Sequence, residues 1–406
     1  MTDETDADAV PGHMLREIHR LAPEDLPTLL RSRCAAMGFS DITVYLADMQ
    51  QRVLVELTEP TEAHAPAHLP IDSSLAGWAY RTSSPRITRD DAGQLTVWMP
   101  MLDGVERFGA MAFQTARLDA AMLDRCHSVA SLATLLVLDK AAYSDVFGRL
   151  QRTRPMRMPA EMVWAHLPPR TVGNDLVTSS AVLEPAYDLG GDAFDHSLNH
   201  GVLHATILDA MGHDLAAGIT SAVGLAALRH ARHQGADLAE MAVGIDTTLQ
   251  GLFPDRYLTG VFTRLDTTTG HLSWINAGHP TPLLLRQAHR VPQALQRSAD
   301  LPLGTGLTAG PRWQVHHAQL EPGDQILLYT DGVPEARNAA GEQFGEDRFT
   351  DFVNRALAAG EAAPEALRRL VHAILAYQQT PLHDDATLLL FEWHPFANTA
   401  TRNALS

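Results

Sequence analysis

From Asp175 onward the chain is built of short β-rich runs that follow one another closely. LVTSSAVLE, VLHATIL, TGVFTRLD, HLSWINAG, TPLLLR, QILLYT and ATLLLFEW each have the length, branched content and flanking turn residues of a strand. Turns such as Thr269-Gly270 and Pro322-Gly323 join neighbours directly. Helical patterns intervene only at Leu215–His233, Asp237–Phe253, Glu346–Ala359 and Pro364–Gln379. A parallel sheet needs a crossover after nearly every strand. This order therefore predicts antiparallel sheets flanked by helices, an α+β arrangement.

Within that region, carboxylates stand at strand ends. Asp192 follows a Gly-Gly turn, and Asp209 closes the apolar run Leu203–Leu208. Asp331 follows QILLYT and precedes Gly332, while Asp384 and Asp385 precede ATLLLFEW. One Asp-Gly after a strand is an ordinary turn. Carboxylates from four strand ends brought to one edge would repel strongly unless cations stood among them. Hard divalent ions such as Mg²⁺ or Mn²⁺ take oxygen ligands and leave positions for water.

The charge balance agrees. A formal net charge of -17 argues against a nucleic-acid partner. The small basic clusters at Arg229–Arg232 and Arg152–Arg157 read as solvated helix faces. A phosphate-handling site in so acidic a chain would draw positive charge from metal ions. Cys34 and Cys126 are too few for a disulfide framework, and a reducing cytoplasm is expected. The acidic N-terminus MTDETDADAV lacks the pattern of a signal peptide, and no apolar run suggests a membrane span.

At 406 residues, two domains are expected. Residues 1–12 read as a disordered tail. Residues 13–34 read as helix interrupted near Pro23, and Asp41–Glu56 as a hairpin. A short Ser-capped helix lies in IDSSLAGWAYRTSSPRIT, followed by strands TVWMPML and RFGAMAFQ about the turn Asp103-Gly104. A helical pattern then runs from Leu118 to Leu150. Pro155, Pro159, Pro168 and Pro169 mark a linker over 151–172. A second domain covers 173–396, with a tail at 397–406.

LAGWAYRTSSPRI and PMLDGVERFGAMAF make residues 13–150 resemble a GAF-type sensory domain. That resemblance implies an α/β sensor that binds a small-molecule effector or serves in dimerisation. Long helices leaving such domains pair with a second copy, which suggests a homodimer; a helix lying on its own domain is the alternative.

In the second region, YDLGGDAFD, DAMGHD, NAGHPTPLLLR, LPLGTG, LEPGDQILLYTDGVPEAR, GEQFGEDRF and DDATLLL resemble, in order, the motifs of PPM-type (PP2C-like) serine/threonine phosphatases. They are most similar to the bacterial branch typified by the SpoIIE and RsbU regulators. The resemblance implies a sandwich of two antiparallel β-sheets flanked by helices, with two Mn²⁺ or Mg²⁺ ions at one edge. It makes Asp192, Asp209, Asp331 and Asp384 the catalytic ligand set. Asp209 would bridge both metals, Asp192 and the Ala210 carbonyl would serve one, and Asp331 and Asp384 the other. Asp385 is the weaker ligand candidate of its pair. Gly191 and Gly332 would let the backbone turn beside these ligands. Asn276 and His279 fall in a loop near the substrate side, with structural or catalytic roles both open. Paired metals of this kind orient and acidify a water for attack on phosphorus. Protonation of the leaving oxygen could come from water, His213 or His279.

The chain departs from the family pattern D-x-x-G-H-G, with Asp214 where the last glycine stands. Asp214 could cap a helix starting at Leu215, or add charge beside the site.

The expected function is hydrolysis of phosphoserine or phosphothreonine. The resemblance suggests an anti-sigma-factor antagonist (a STAS-domain protein) as substrate and control by the N-terminal domain. A weak or inactive GAF–phosphatase scaffold is the alternative. A metal nuclease is disfavoured by the charge.

Overall fold

A computed structural model describes residues 21–59, 65–188, 190–306, 313–378 and 384–395. The tails expected at 1–12 and 397–406 lie outside the described residues. The chain divides into two compact units, Met1–Pro155 and Met156–Ser406.

The first unit is one antiparallel sheet. Its strands are β1 (Asp41–Ala47), β2 (Val53–Glu56), β3 (His68–Pro70), β4 (Arg86–Arg89), β5 (Leu95–Asp103) and β6 (Glu106–Thr115), in the order β3-β2-β1-β6-β5-β4. Alternation in β1 sends Ile42, Val44 and Leu46 to one face. There they meet Leu26 and Leu30 of the Leu26–Ala35 helix and Cys126, Val129 and Leu136 of the Ala120–Ala141 helix. Ala76 and Tyr80 of the Leu75–Thr82 helix cover Leu54 and Ala110 in a second cluster. That helix begins where the Ser74 hydroxyl accepts from the Gly77 N–H at 2.9 Å.

The helical pattern expected over Leu118–Leu150 is two helices, Ala120–Ala141 and Val146–Gln151. Ser144 interrupts it, its hydroxyl accepting from the Val146 N–H at 3.3 Å. Among the described residues, Ala120–Ala141 is also long and apolar enough by composition to cross a membrane, contrary to the sequence expectation. Half of its apolar stretch is buried in this unit.

The second unit starts earlier than the expected linker allowed. Met158–Trp164 is helical, and Ala160 and Val163 are fully buried in the unit's core. Pro159 sits in the first turn, where no N–H is needed. After it come β7 (Thr171–Gly173), β8 (Val177–Glu184), β9 (Asp192–Asn199), β10 (Val202–Ala210), β11 (Leu258–Asp266), β12 (His271–Ala277), β13 (Leu283–Arg286), β14 (His289–Arg290), β15 (His316–Gln319), β16 (Gln325–Tyr329) and β17 (Ala386–Trp393). They form two antiparallel sheets, β15-β12-β11-β10-β9 and β14-β13-β16-β17-β8-β7.

Period-two alternation explains the layers. Ile326, Leu328, Leu389 and Phe391 face the other sheet, where Phe194, Ile207 and Trp274 share the same core. Leu327, Tyr329, Leu388 and Leu390 face outward, under Phe349, Val353, Leu367 and Leu370 of helices Glu346–Ala358 and Ala363–Gln378. Helices Leu215–His233 and Leu238–Leu252 cover the opposite side through Leu225, Leu228, Met241 and Ile245. Both faces of the six-stranded sheet are buried, so β17 reads as a continuous apolar run. The site therefore sits on a rigid double layer.

Candidate metal centre

Asp192 and Asp209 stand directly opposite each other on β9 and β10. The Gly190-Gly191 turn that delivers Asp192 lies against the loop after β10. A Cβ at Gly190 would come within 2.3 Å of the His213 Cα, and one at Gly191 within 2.5 Å of the Ala210 oxygen. Glycine is required here by space. The Gly191 carbonyl accepts from the Ala210 N–H at 3.1 Å and from the Ser221 hydroxyl.

The other sheet ties itself to this turn. The Asp385 carboxylate accepts from the N–H groups of Gly190, Gly191 and Asp192 at 2.9, 2.7 and 3.2 Å. The hydroxyls of Thr330 and Thr387 donate to Oδ2 of Asp192 at 2.7 and 2.6 Å. A Cβ at Gly332 would lie 1.9 Å from the Asp385 carbonyl oxygen, so the turn carrying Asp331 packs directly on the start of β17. These links bring the ends of β9 and β10 to the ends of β16 and β17.

The carboxylates feel one another. Burial, then Asp209 and Asp385, hold the Asp192 carboxyl well above the usual carboxylate range. Burial pushes Asp209 up to about 7, reinforced by Asp331, Asp384 and Asp385. Asp331 is raised by burial and then by Asp384 and Glu335. Burial also raises Asp385, against the three N–H groups it accepts. Asp331 and Asp384 are exposed at the mouth, and Asp192 is buried at the floor.

The donor chemistry fits a hard divalent cation, because every donor in the cluster is an oxygen. Among the described residues, no three His, Cys, Asp or Glu side chains close around one point tightly enough to hold an ion. Any ion here would be completed by water and by the Ala210 carbonyl, as suits Mg²⁺-like ions that keep much of their hydration.

The remaining candidates separate clearly. His279 is buried, and Thr259 Oγ1 lies 3.0 Å from its Nδ1 and the Tyr329 carbonyl 3.0 Å from its Nε2. Burial lowers its pKa to about 4, so it is a neutral strut between the two sheets. The Asn276 side chain accepts from the His279 N–H and donates to its carbonyl, both at 2.8 Å, which closes the loop on itself. His213 lies exposed in the loop after β10. Asp214 caps the Leu215–His233 helix, its carboxylate accepting from the Ala217 N–H at 2.8 Å. That bond, with Arg256 at 3.3 Å, holds the Asp214 carboxyl below the usual range.

Sequence reasoning missed Thr330 and Thr387, although each lies within three residues of a flagged aspartate. The signal was a hydroxyl next to an acidic strand end. It also missed Arg256, which donates to the Met211 carbonyl at 3.3 Å.

Residues 199–394 match the family model for stage II sporulation protein E (SpoIIE). The phosphoserine phosphatase RsbP of Bacillus subtilis is 24% identical over 39% of this chain and 40% of its own length. The phosphoserine phosphatase RsbU of the same organism is 20% identical over 52% of this chain and 61% of its own. A third relative, protein IcfG of Synechocystis, is 28% identical, and only 14% of it is covered. The chain thus spans less than two thirds of each of these curated relatives. Among solved structures, the SiaA-PP2C domain of Pseudomonas aeruginosa is 21% identical, covering 58% of this chain and 94% of that one, with a TM-score of 0.49. Residues 199–394 of the second unit are thus similar to the PP2C-like phosphatase domains of the SpoIIE family.

Proposed function

We propose that this chain is a metal-dependent protein phosphatase acting on phosphoserine or phosphothreonine. The observation that carries the reading is the opposed, crowded pair Asp192 and Asp209, with Asp331 and Asp384 brought to the same edge from the other sheet. Asp192, Asp209, Asp331, Asp384 and the Ala210 carbonyl would hold two Mn²⁺ or Mg²⁺ ions, with Asp385 fixing the turn beneath them. When bound, such ions supply an acidified, oriented water and offset charge on the phosphoryl oxygens. The chain's own part is to hold these carboxylates in place. Thr330 and Thr387 orient Asp192, and the Gly190-Gly191 turn leaves room for the neighbouring loop. His213, exposed in the loop after β10, would be the candidate to protonate the leaving oxygen.

The names of RsbP and RsbU as phosphoserine phosphatases support phosphoserine as the target. The finer reading, which rests on the motif resemblance in the sequence, is an anti-sigma-factor antagonist (a STAS-domain protein) as substrate. The first unit, read as GAF-like, would regulate the second in a cytoplasmic homodimer. A non-catalytic scaffold is disfavoured because all four ligand aspartates are present and crowd one another. The test is hydrolysis of p-nitrophenyl phosphate and of a phosphorylated STAS-domain protein with Mn²⁺ added and then chelated. Metal-dependent turnover of both, lost in Asp209→Asn, is expected. Inertness with abundant Mn²⁺ would overturn the reading.

A further inference from the structure

At the metal edge the ladder between β10 and β11 runs one pair beyond the strands. Asp209 stands opposite Thr259, and Ala210 opposite Leu258. The Met211 N–H then donates to the Tyr257 carbonyl at 3.2 Å, which sets Met211 opposite Tyr257. Two residues along a strand cover about 7 Å and return to the same face. The pair Met211–Tyr257 therefore lies about 7 Å beyond the pair Asp209–Thr259, on the side of the sheet that Asp209 faces.

Neighbours on β11 fix that side. Leu258 is buried against the Leu215–His233 helix, where a Cβ on Gly224 would come within 3.1 Å of its side chain. Arg256 reaches the start of the same helix, its guanidinium 3.3 Å from the Asp214 carboxylate. Tyr257 stands between these two in sequence and so points away from the helix. Thr259 does the same, its hydroxyl 3.0 Å from Nδ1 of His279.

Met211 and Tyr257 are each 39% exposed, so both leave apolar surface in water beside a cluster of carboxylates. Methionine, tyrosine and arginine are enriched where proteins meet other polypeptides, and methionine adapts its shape to varied partners. All three stand here, since Arg256 also donates to the Met211 carbonyl at 3.3 Å. Its charge is met by Asp214, so the apolar pair has a polar, paired rim. A polypeptide that brings a phosphoserine to Asp209 carries its neighbouring residues over a pair only about 7 Å away. A small aryl phosphate need not reach it.

We infer that Met211 and Tyr257 are substrate-contact residues that receive the flank of the phosphoserine and favour apolar residues there. The inference rests on the phosphatase reading above.

The test uses two substrates with Mn²⁺ present: p-nitrophenyl phosphate, and a pool of phosphoserine peptides with randomised flanks whose dephosphorylation is read by mass spectrometry. The wild-type protein should favour leucine-like over serine-like residues about tenfold in kcat/KM within two positions of the phosphoserine. Met211→Gln and Tyr257→Thr should each erase most of that preference. Both should keep turnover of p-nitrophenyl phosphate within about twofold, which also reports that they fold. Val243→Ser, at an exposed apolar residue on the Leu238–Leu252 helix, should leave the preference intact. A wild-type protein that turns over p-nitrophenyl phosphate but shows no flank preference, or no peptide hydrolysis, would overturn the inference alone. So would variants that keep the preference, or that slow both substrates equally. A Tyr257→Thr variant that is monomeric where the parent is dimeric would assign the pair to a second copy of the chain, and overturn it as well. A wild-type protein inert on both substrates would overturn the phosphatase reading together with it.

Discussion

The Thr387 hydroxyl donates to the Asp192 carboxylate at 2.6 Å across 195 residues of chain. Thr330 repeats the contact from the end of the adjacent strand at 2.7 Å. One oxygen of Asp192, Oδ2, thereby accepts from two hydroxyls. Residues that orient a ligand in this way typically change metal affinity by about 10–100-fold. Thr387→Val should therefore weaken Mn²⁺ binding by about tenfold in calorimetric titration while the fold survives. Unchanged affinity would remove Thr387 from the site.

The crowded carboxylates give the metal-free protein a pH signature. Asp209, with a folded pKa of about 7, sits above its unfolded value, so its stabilising protonation is complete below about 4 and is lost as pH rises through 7. His279, held at about 4, works in the opposite sense: its contribution is present above about 6.5 and is lost as pH falls through 4. Between pH 8 and 6.5 the aspartate dominates. With metal chelated, the thermal midpoint should rise over that interval, with Asp209 contributing roughly 1 kcal/mol. Asp209→Asn should flatten the slope. A midpoint that falls from pH 8 to 6.5 would contradict the crowding.

His213 and His279 were equivalent as proton donors in the sequence, and burial separates them. His279 has both ring nitrogens engaged between β11 and β16, whereas His213 is free to meet solvent and substrate. His213→Ala should slow a phosphoserine peptide by tenfold or more and barely touch p-nitrophenyl phosphate, whose leaving group needs no proton. Equal effects on both substrates would exclude the role.

Asp214, where the family pattern has glycine, supplies the first helical turn with an acceptor. Asp214→Gly should leave activity within a few-fold, since glycine is itself a tolerable cap. A hundredfold change in either direction would show that the Asp214 charge acts on the site.

Much of the second unit was legible because both its sheet faces are buried or strongly alternating. ATLLLFEW and QILLYT declare strands by composition alone. DAFDHSLN did not, since β9 buries Asp195 at 1% exposure against Arg229 and Arg232 on the neighbouring helix. That pairing, invisible in a linear pattern, turns a polar segment into a core strand. HHAQ was missed for a different reason: β15 is an edge strand with no apolar stripe. The aspartates themselves were legible from their places beside turns. The threonines that hold Asp192 were not, because only the pairing of β16 with β17 puts both hydroxyls on one carboxylate.

Four aspartates from two sheets are proposed to hold a pair of divalent ions. Anomalous diffraction at the manganese edge from crystals grown with Mn²⁺ tests this most directly. Two peaks are expected among Asp192, Asp209, the Ala210 carbonyl, Asp331 and Asp384. Density showing no manganese there, or manganese bound only elsewhere, would contradict it.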